Sequence, residues 1–253
     1  MPEGHTLHRL ARDQRRDLRG EKVVVSSPQG RFDDGARLLD GQLVDDVEAY
    51  GKHLFTSFGS GDVLHVHLGL IGRYQRQPSP PLPPVGVVRV RIEGPAATWD
   101  LRGPAVCRVI RVDEIDAVVA PLGPDPLRRG ADPERFVDAV VRSAKPVGAL
   151  LLDQSVIAGI GNVLRAEVLH VHGIHPATPG NRLDADRVRA LWTTLQEWLR
   201  AGVRRNRIVT HTVDDPLYVY HRDTCRRCGT PLCALEIGGR RIDICPTCQP
   251  EPQ

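Results

Sequence analysis

Directly behind the initiator methionine stand Pro2 and Glu3, and removal of Met1 would leave proline as a free secondary amine. An α-amino group has a pKa near ~8, well below lysine's ~10.4, so a useful fraction is neutral and nucleophilic at neutral pH. Such an amine can attack a sugar or carbonyl carbon and form a Schiff base. The carboxyl of Glu3, one residue on, is a candidate proton shuttle for that chemistry. Many chains open this way with no chemistry attached, so the pair acquires meaning only from the rest of the sequence.

A second chemical signature closes the chain. Cys225-x2-Cys228 is followed, after sixteen intervening residues, by Cys245-x2-Cys248. Each C-x2-C knuckle offers two thiolates from one tight turn, and two knuckles complete a tetrahedral zinc site. Four thiolates leave no open coordination position, so one structural Zn2+ is expected and no other cofactor. Cys107 and Cys233 lie outside this spacing and are expected to be buried thiols.

Basic residues carry a third signal. All but three of the 34 are arginine, and the exceptions are Lys22, Lys52 and Lys145. Arginine enrichment fits GC-rich coding, which makes the lysine retained in Gly51-Lys52-His53-Leu54 a candidate compact charge. Between Asp153 and Asn162, Gly159 and Gly161 permit positive φ and close backbone approach, with Asn162 expected as the N-cap of the following helix. A helix N-terminus behind glycines can hold a phosphate, or the segment can be a plain turn between packed helices.

These residues need elements to hold them. With 253 residues, 41% hydrophobic and 26% charged, the chain has the composition of a globular protein with one large domain or two ordinary ones. Its net charge of +3 argues neither for nor against nucleic acid. Arg9, Arg12, Arg15, Arg16 and Arg19 exclude a secretory signal, and no apolar run approaches the roughly 20 residues of a membrane span, so a cytoplasmic protein with no membrane partner is expected.

A helix is predicted over about residues 4–19. Short Val/Leu-rich runs follow at 22–26, 42–50, 53–58, 63–68, 85–92, 97–100 and 106–112, broken by Gly, Asp and Pro as in a sandwich or barrel, with residues 78–84 as a surface loop. Three prolines within Ala120-Pro121-Leu122-Gly123-Pro124-Asp125-Pro126 mark a boundary. Beyond it, apolar residues at i, i+3 and i+4 predict helices over 133–143, 147–154, 162–170 and 184–201. The predicted fold is α+β in two domains. An N-terminal β-sandwich with a flanking helix spans 1–120 and a linker 121–127. Helices over 128–216 then lead into a four-cysteine finger over 217–253, with a ligand cleft expected between the domains.

Taken in order, these segments resemble the bacterial formamidopyrimidine-DNA glycosylase and endonuclease VIII family over essentially the whole chain. The matching stretches are Pro2-Glu3, Gly51-Lys52-His53-Leu54 and His67-Leu68-Gly69-Leu70-Ile71-Gly72-Arg73. They continue with Leu122-Gly123-Pro124-Asp125-Pro126-Leu127, residues 152–162 and Val219-Tyr220-His221-Arg222 before the cysteines. The resemblance implies a helix-two-turn-helix around residues 152–162 and a β-hairpin zinc finger. It implies a bifunctional DNA glycosylase and AP lyase of base-excision repair. Pro2 would attack C1′ and Glu3 would move protons, ending in β,δ-elimination. Lys52 and Asn162 would grip phosphates, as would Arg240, with adjacent Arg241 able to substitute. Leu70 would fill the hole left by the extruded nucleotide; on its own residues, it reads as core at a strand end.

Three departures bear on substrate. Thr6 stands where the family commonly has a second glutamate. The loop Asp100-Leu101-Arg102-Gly103-Pro104 lacks the arginine-phenylalanine pair that contacts the orphaned base. Residues 206–216 are brief where the 8-oxoguanine branch carries a longer lid. The endonuclease VIII branch is therefore expected, with oxidised pyrimidines foremost and ring-opened or further-oxidised purines beside them as substrates. The partner would be damaged double-stranded DNA, with single-stranded or bubble DNA as further forms, bound by a monomer. The alternatives are an AP lyase with little glycosylase activity and a non-catalytic zinc-containing DNA-binding protein.

Overall fold

In the computed structural model, which describes residues 2–252, helix α1 (Gly4–Leu18) opens the chain. Leu7, Leu10 and Leu18 recur on one face of it and are fully or almost fully buried. At about 1.5–3 kcal/mol for each buried leucine, that stripe fixes the helix despite its four arginines. The chain continues through β1 (Val24–Ser26), α2 (Asp33–Leu39), β2 (Val44–Tyr50), β3 (His53–Phe58), β4 (Asp62–His67), β5 (Arg73–Pro78), β6 (Val90–Glu93), β7 (Ala97–Arg102), β8 (Val106–Arg111) and α3 (Ile115–Val119).

The strands form two four-stranded antiparallel sheets, ordered β1-β6-β7-β5 and β2-β3-β4-β8. Period-two alternation sends Leu54, Phe58, Leu64 and Val66 of one, and Ile92, Trp99 and Leu101 of the other, into a core shared with α1. The opposite face of the second sheet carries His53, Phe55, His65 and Arg108. Ile115, Val118 and Val119 pack there over Phe55, Val63 and Ile110. In the first sheet the fully buried Asp100 accepts both arms of Arg91, at 2.7 and 2.9 Å, and the Gln77 amide at 2.6 Å, tying β5, β6 and β7 together.

These residues, up to Pro121, form one compact unit, and residues from Leu122 form a second. The second comprises α4 (Pro133–Val141), α5 (Val147–Leu150), α6 (Asn162–Val171), α7 (Ala185–Arg205), β9 (Cys233–Ile237) and β10 (Arg240–Ile244). Asp132 and Asp184 cap α4 and α7, accepting from the backbone N–H of Glu134 at 2.9 Å and of Arg187 at 2.8 Å. Val219, Ile242 and Ile244 join Phe136, Leu150, Ile157, Leu164 and Leu195, so the β9–β10 hairpin and the helices share one core. No helix among the described residues is long and apolar enough to cross a membrane.

Several segments differ from sequence expectation. Residues 85–89 are not strand: Gly86 at φ +70° turns the chain, and Val85 and Val87 face solvent. The helix expected to run to Gln154 stops at Leu150, because the Asp153 side chain takes the N–H and hydroxyl of Ser155 in a tight turn. Strand β5 and helices α2 and α3 arise where no element is expected.

Candidate active site and metal centre

The first unit holds four of the residues singled out by the sequence. Glu3 immediately precedes α1 in extended conformation (φ −121°, ψ 179°), and its carbonyl accepts the Thr6 N–H at 2.9 Å. Its side chain is fully buried, while Pro2 ahead of it is half-buried. Met1, whose removal would free the proline amine, lies outside the described residues. His5, on the first turn of α1, is pushed down to about 4 by burial and then by Arg9, so it is uncharged at neutral pH.

Lys52 occupies the turn between β2 and β3, and Leu70 the turn between β4 and β5. Because His53 pairs with His67 across β3–β4, both turns project from the same end of the sheet. Gly69 (φ +68°) donates its N–H to Nδ1 of His67 at 3.1 Å, and a Cβ there would lie 2.8 Å from that of Ala105. The turn is thus shaped to expose its apolar residues: Leu70 is 59% exposed, and Ile71, not singled out in the sequence, 79%. Leu70 is not core.

In the second unit the segment before α6 is closed by a glutamine. The Gln154 side chain donates to the carbonyls of Leu152 (2.9 Å) and Ile160 (3.0 Å) and accepts the Gly159 N–H at 3.0 Å. Gly159 stands at φ +92°, a conformation L side chains rarely adopt. Gly161 does not share it; its backbone is extended, and it, not Asn162, is the N-cap. Asn162 is the first helical residue, and its buried Oδ1 accepts no hydrogen bond among the described residues.

Two buried charges on α6 position the C-terminal hairpin. The guanidinium of Arg165 donates to the carbonyls of Gly148 (3.3 Å), Ile237 (2.9 Å), Arg240 (3.4 Å) and Arg241 (2.9 Å). Glu167 accepts the backbone N–H groups of Tyr218, Val219 and Tyr220 at 2.7–2.9 Å, together with the hydroxyl of Thr210. Neither residue is flagged by an apolar pattern; the signal available was two charges inside the otherwise apolar run Leu164-Arg165-Ala166-Glu167-Val168-Leu169. At the hairpin, Arg241 pairs with the buried Asp243 at 2.8–2.9 Å. Among the described residues the exposed Arg240 side chain makes no hydrogen bond or ion pair.

The sulfurs of Cys225, Cys228, Cys245 and Cys248 all lie within 4.8 Å of one another, and none forms a disulfide. Separations of 3.5, 3.6 and 3.9 Å bracket the roughly 3.8 Å between ligands of tetrahedral zinc with Zn–S near 2.3 Å. Backbone N–H groups of Arg227 and Cys248 approach Cys225 and Cys245 at 3.4 Å, and Nε2 of His170 lies 3.2 Å from Cys225. Donors aimed at sulfur suit thiolates. The residues therefore fit one four-coordinate zinc ion. Of the other two cysteines, Cys107 is half-buried, and burial pushes its thiol to about 12. Cys233 is exposed on β9, against the expectation of a buried thiol.

Comparison with known proteins accounts for the whole chain. The formamidopyrimidine-DNA glycosylase N-terminal domain matches residues 1–105, and the formamidopyrimidine-DNA glycosylase H2TH domain matches residues 122–214. Endonuclease 8 1 of Mycobacterium tuberculosis is 44% identical, the alignment covering 98% of this chain and 100% of the relative. The probable endonuclease 8 2 of Streptomyces coelicolor is 34% identical over 100% of this chain and 95% of its own length. The same fold occurs in Lactococcus lactis formamidopyrimidine-DNA glycosylase bound non-covalently to AP-site DNA, with TM-score 0.85 and 22% identity over 98% of this chain and 100% of that one. By sequence along both units, the chain belongs to the formamidopyrimidine-DNA glycosylase and endonuclease VIII family.

Proposed function

We propose that the protein is a bifunctional DNA glycosylase and AP lyase of base-excision repair, acting through the amine that Pro2 presents once Met1 is removed. The observation that carries this reading is Glu3, a carboxyl buried at the head of α1 one residue behind the amine, in a chain of this family. With the damaged nucleotide extruded from the duplex, the Pro2 nitrogen bonds to C1′ and the base departs with the electrons of the glycosidic bond. Glu3 donates a proton to the ring oxygen as the C1′–O bond opens, leaving an iminium. Loss of a C2′ proton then expels the 3′ phosphate, and a second elimination the 5′ phosphate, leaving a one-nucleotide gap.

In this reading the first unit, about residues 1–120, carries the chemistry, and the second grips DNA. Lys52 and Asn162 hold phosphates beside the lesion. Arg240 holds another, a role favoured over Arg241 by the latter's engagement with Asp243. Leu70, with Ile71, fills the gap in the base stack. One zinc ion, held by the four cysteines, shapes the finger and takes no part in chemistry. Residues 206–216 are short, and Thr210 and Thr212 donate back onto the carbonyls of Pro216 and Asp215. Such a segment leaves a pocket open at its edge and favours oxidised pyrimidines as substrates.

Borohydride reduction of the protein with abasic or thymine-glycol duplex tests this directly. A covalent adduct mapping to Pro2 is expected, and Glu3→Gln should abolish base release while leaving abasic-DNA binding intact. Normal DNA affinity with no trapped adduct would make the chain a binding module instead.

A further inference from the structure

Three imidazoles and a guanidinium share the outer face of the β2-β3-β4-β8 sheet. His53 stands opposite His67 in the β3–β4 register, and His65 opposite Arg108 in the β4–β8 register. Their hydrogen bonds fix which ring nitrogens carry protons. Arg108 can only donate, so its Nε–H, 3.3 Å from Nδ1 of His65, makes that nitrogen an acceptor. The His65 proton then sits on Nε2 and points at Nδ1 of His53, 2.9 Å away. His53 in turn must carry its own proton on Nε2, the edge turned away from the relay.

Burial, then the neighbouring His67, His65, Arg108 and Lys52, holds His53 at about 3; burial, then Arg108 and His67, holds His65 at about 4. Both rings are uncharged at neutral pH. His53, His65 and Arg108 also line, with Glu114 and the apolar Val106, Ile110 and Val118, an open pocket of about 450 Å³, so the relay borders accessible space. A chain of oriented donors ending next to Lys52, on the strand pair that presents Leu70, has a use at a phosphodiester backbone. It adds a directional donor where a further cation would be repelled by Lys52 and Arg108.

Resting on the reading of Lys52 as a phosphate grip, we propose that His53 donates its Nε2–H to the DNA phosphate neighbouring the one Lys52 holds. Arg108 and His65 are positioning residues that fix its tautomer. The relay is specific about direction: reversing it would set the Arg108 Nε–H against an Nδ1–H of His65, two donors face to face.

The test uses the full-length protein and a duplex carrying a tetrahydrofuran abasic analogue, with Kd measured across a KCl series. Nitrogen-15 shifts at pH 7 should show His53 protonated on Nε2 and bare on Nδ1, a result independent of any substitution. His53→Ala should weaken binding by roughly tenfold, the size of one hydrogen bond to a charged acceptor. The slope of log K against log salt should not change, because no cation is lost. Lys52→Met should instead reduce that slope by about 0.9. His53→Gln, whose amide N–H can occupy the place of Nε2–H, should restore most of the affinity. Arg108→Met should give mixed His53 tautomers and a loss of roughly threefold, less than a full hydrogen bond. A His53 ring protonated on Nδ1, or wild-type affinity in His53→Ala while Lys52→Met behaves as expected, would overturn the proposal alone. If Lys52→Met moved neither affinity nor slope, the reading of Lys52 would fail and the proposal with it.

Discussion

Arg165 on α6 reaches the carbonyl oxygen of Arg241 on β10 at 2.9 Å, with its side chain wholly removed from solvent. Three further carbonyls, of Gly148, Ile237 and Arg240, share the same guanidinium. A buried cation is tolerated where its donors are met by fixed dipoles. The fork here spans both ends of the β9–β10 turn, so it sets the height at which Arg240 stands. Arg165→Met should leave these carbonyls without their donor and cost about 3 kcal/mol of stability. Urea unfolding measures that loss. A variant as stable as the wild type would show that water replaces the clamp at no cost.

Gly159 offers a sharper test of local geometry. Its φ of +92° lies where an alanine is strained, and its N–H is spent on the Gln154 side chain. Gly159→Ala should cost about 1–3 kcal/mol through backbone strain. Its neighbour Gly161 is extended, so Gly161→Ala should be milder there. Equal effects in thermal unfolding would mean that the turn relaxes and that φ at Gly159 is not constrained.

This turn also shows how far the sequence could be read. Glycines and an amide were visible in it, but the cap fell one residue earlier than expected, because the side chain that closes the loop belongs to Gln154 and not to Asn162. The four cysteines were legible because metal geometry constrains spacing locally. Helix α1 was legible because Leu7, Leu10 and Leu18 keep one face. Strand β5 was not: Arg-Tyr-Gln-Arg-Gln-Pro has no apolar alternation, and the segment is strand only because it pairs with β7 along a sheet edge. The roles of Arg165 and Glu167 were hidden for a similar reason. Their partners lie 17 to 76 residues away in the chain, where periodicity carries no information.

Neutral buried histidines give the protein an acid limit. His5 and His65 are held at about 4 and His53 at about 3, chiefly by burial, against ~6.5 in an unfolded chain. Between those values the unfolded state binds protons that the folded state refuses. Stability from these groups is therefore complete above about pH 6.5 and declines as pH falls toward 4, by up to about 1.4 kcal/mol per pH unit for each ring. Chemical denaturation at pH 7.5 and pH 5 should show the drop, and His65→Leu should lessen it. Equal stability at both values would mean that these rings are charged in the fold.

Leu70 separates a structural role from a functional one most cleanly. A leucine in the core loses about 2–5 kcal/mol on truncation to alanine, but Leu70 stands largely in solvent on a turn whose shape is set by Gly69 and His67. Leu70→Ala should therefore change stability by no more than about 0.5 kcal/mol. If the side chain occupies the space vacated by an extruded nucleotide, the variant should release bases from duplex DNA much more slowly. It should keep its activity on the same lesion in a single strand, where no stack has to be mended. Ile71→Ala should repeat the pattern more weakly if the two residues share the work. An unfolding midpoint well below wild type, or equal loss on single and double strands, would return Leu70 to an ordinary packing role.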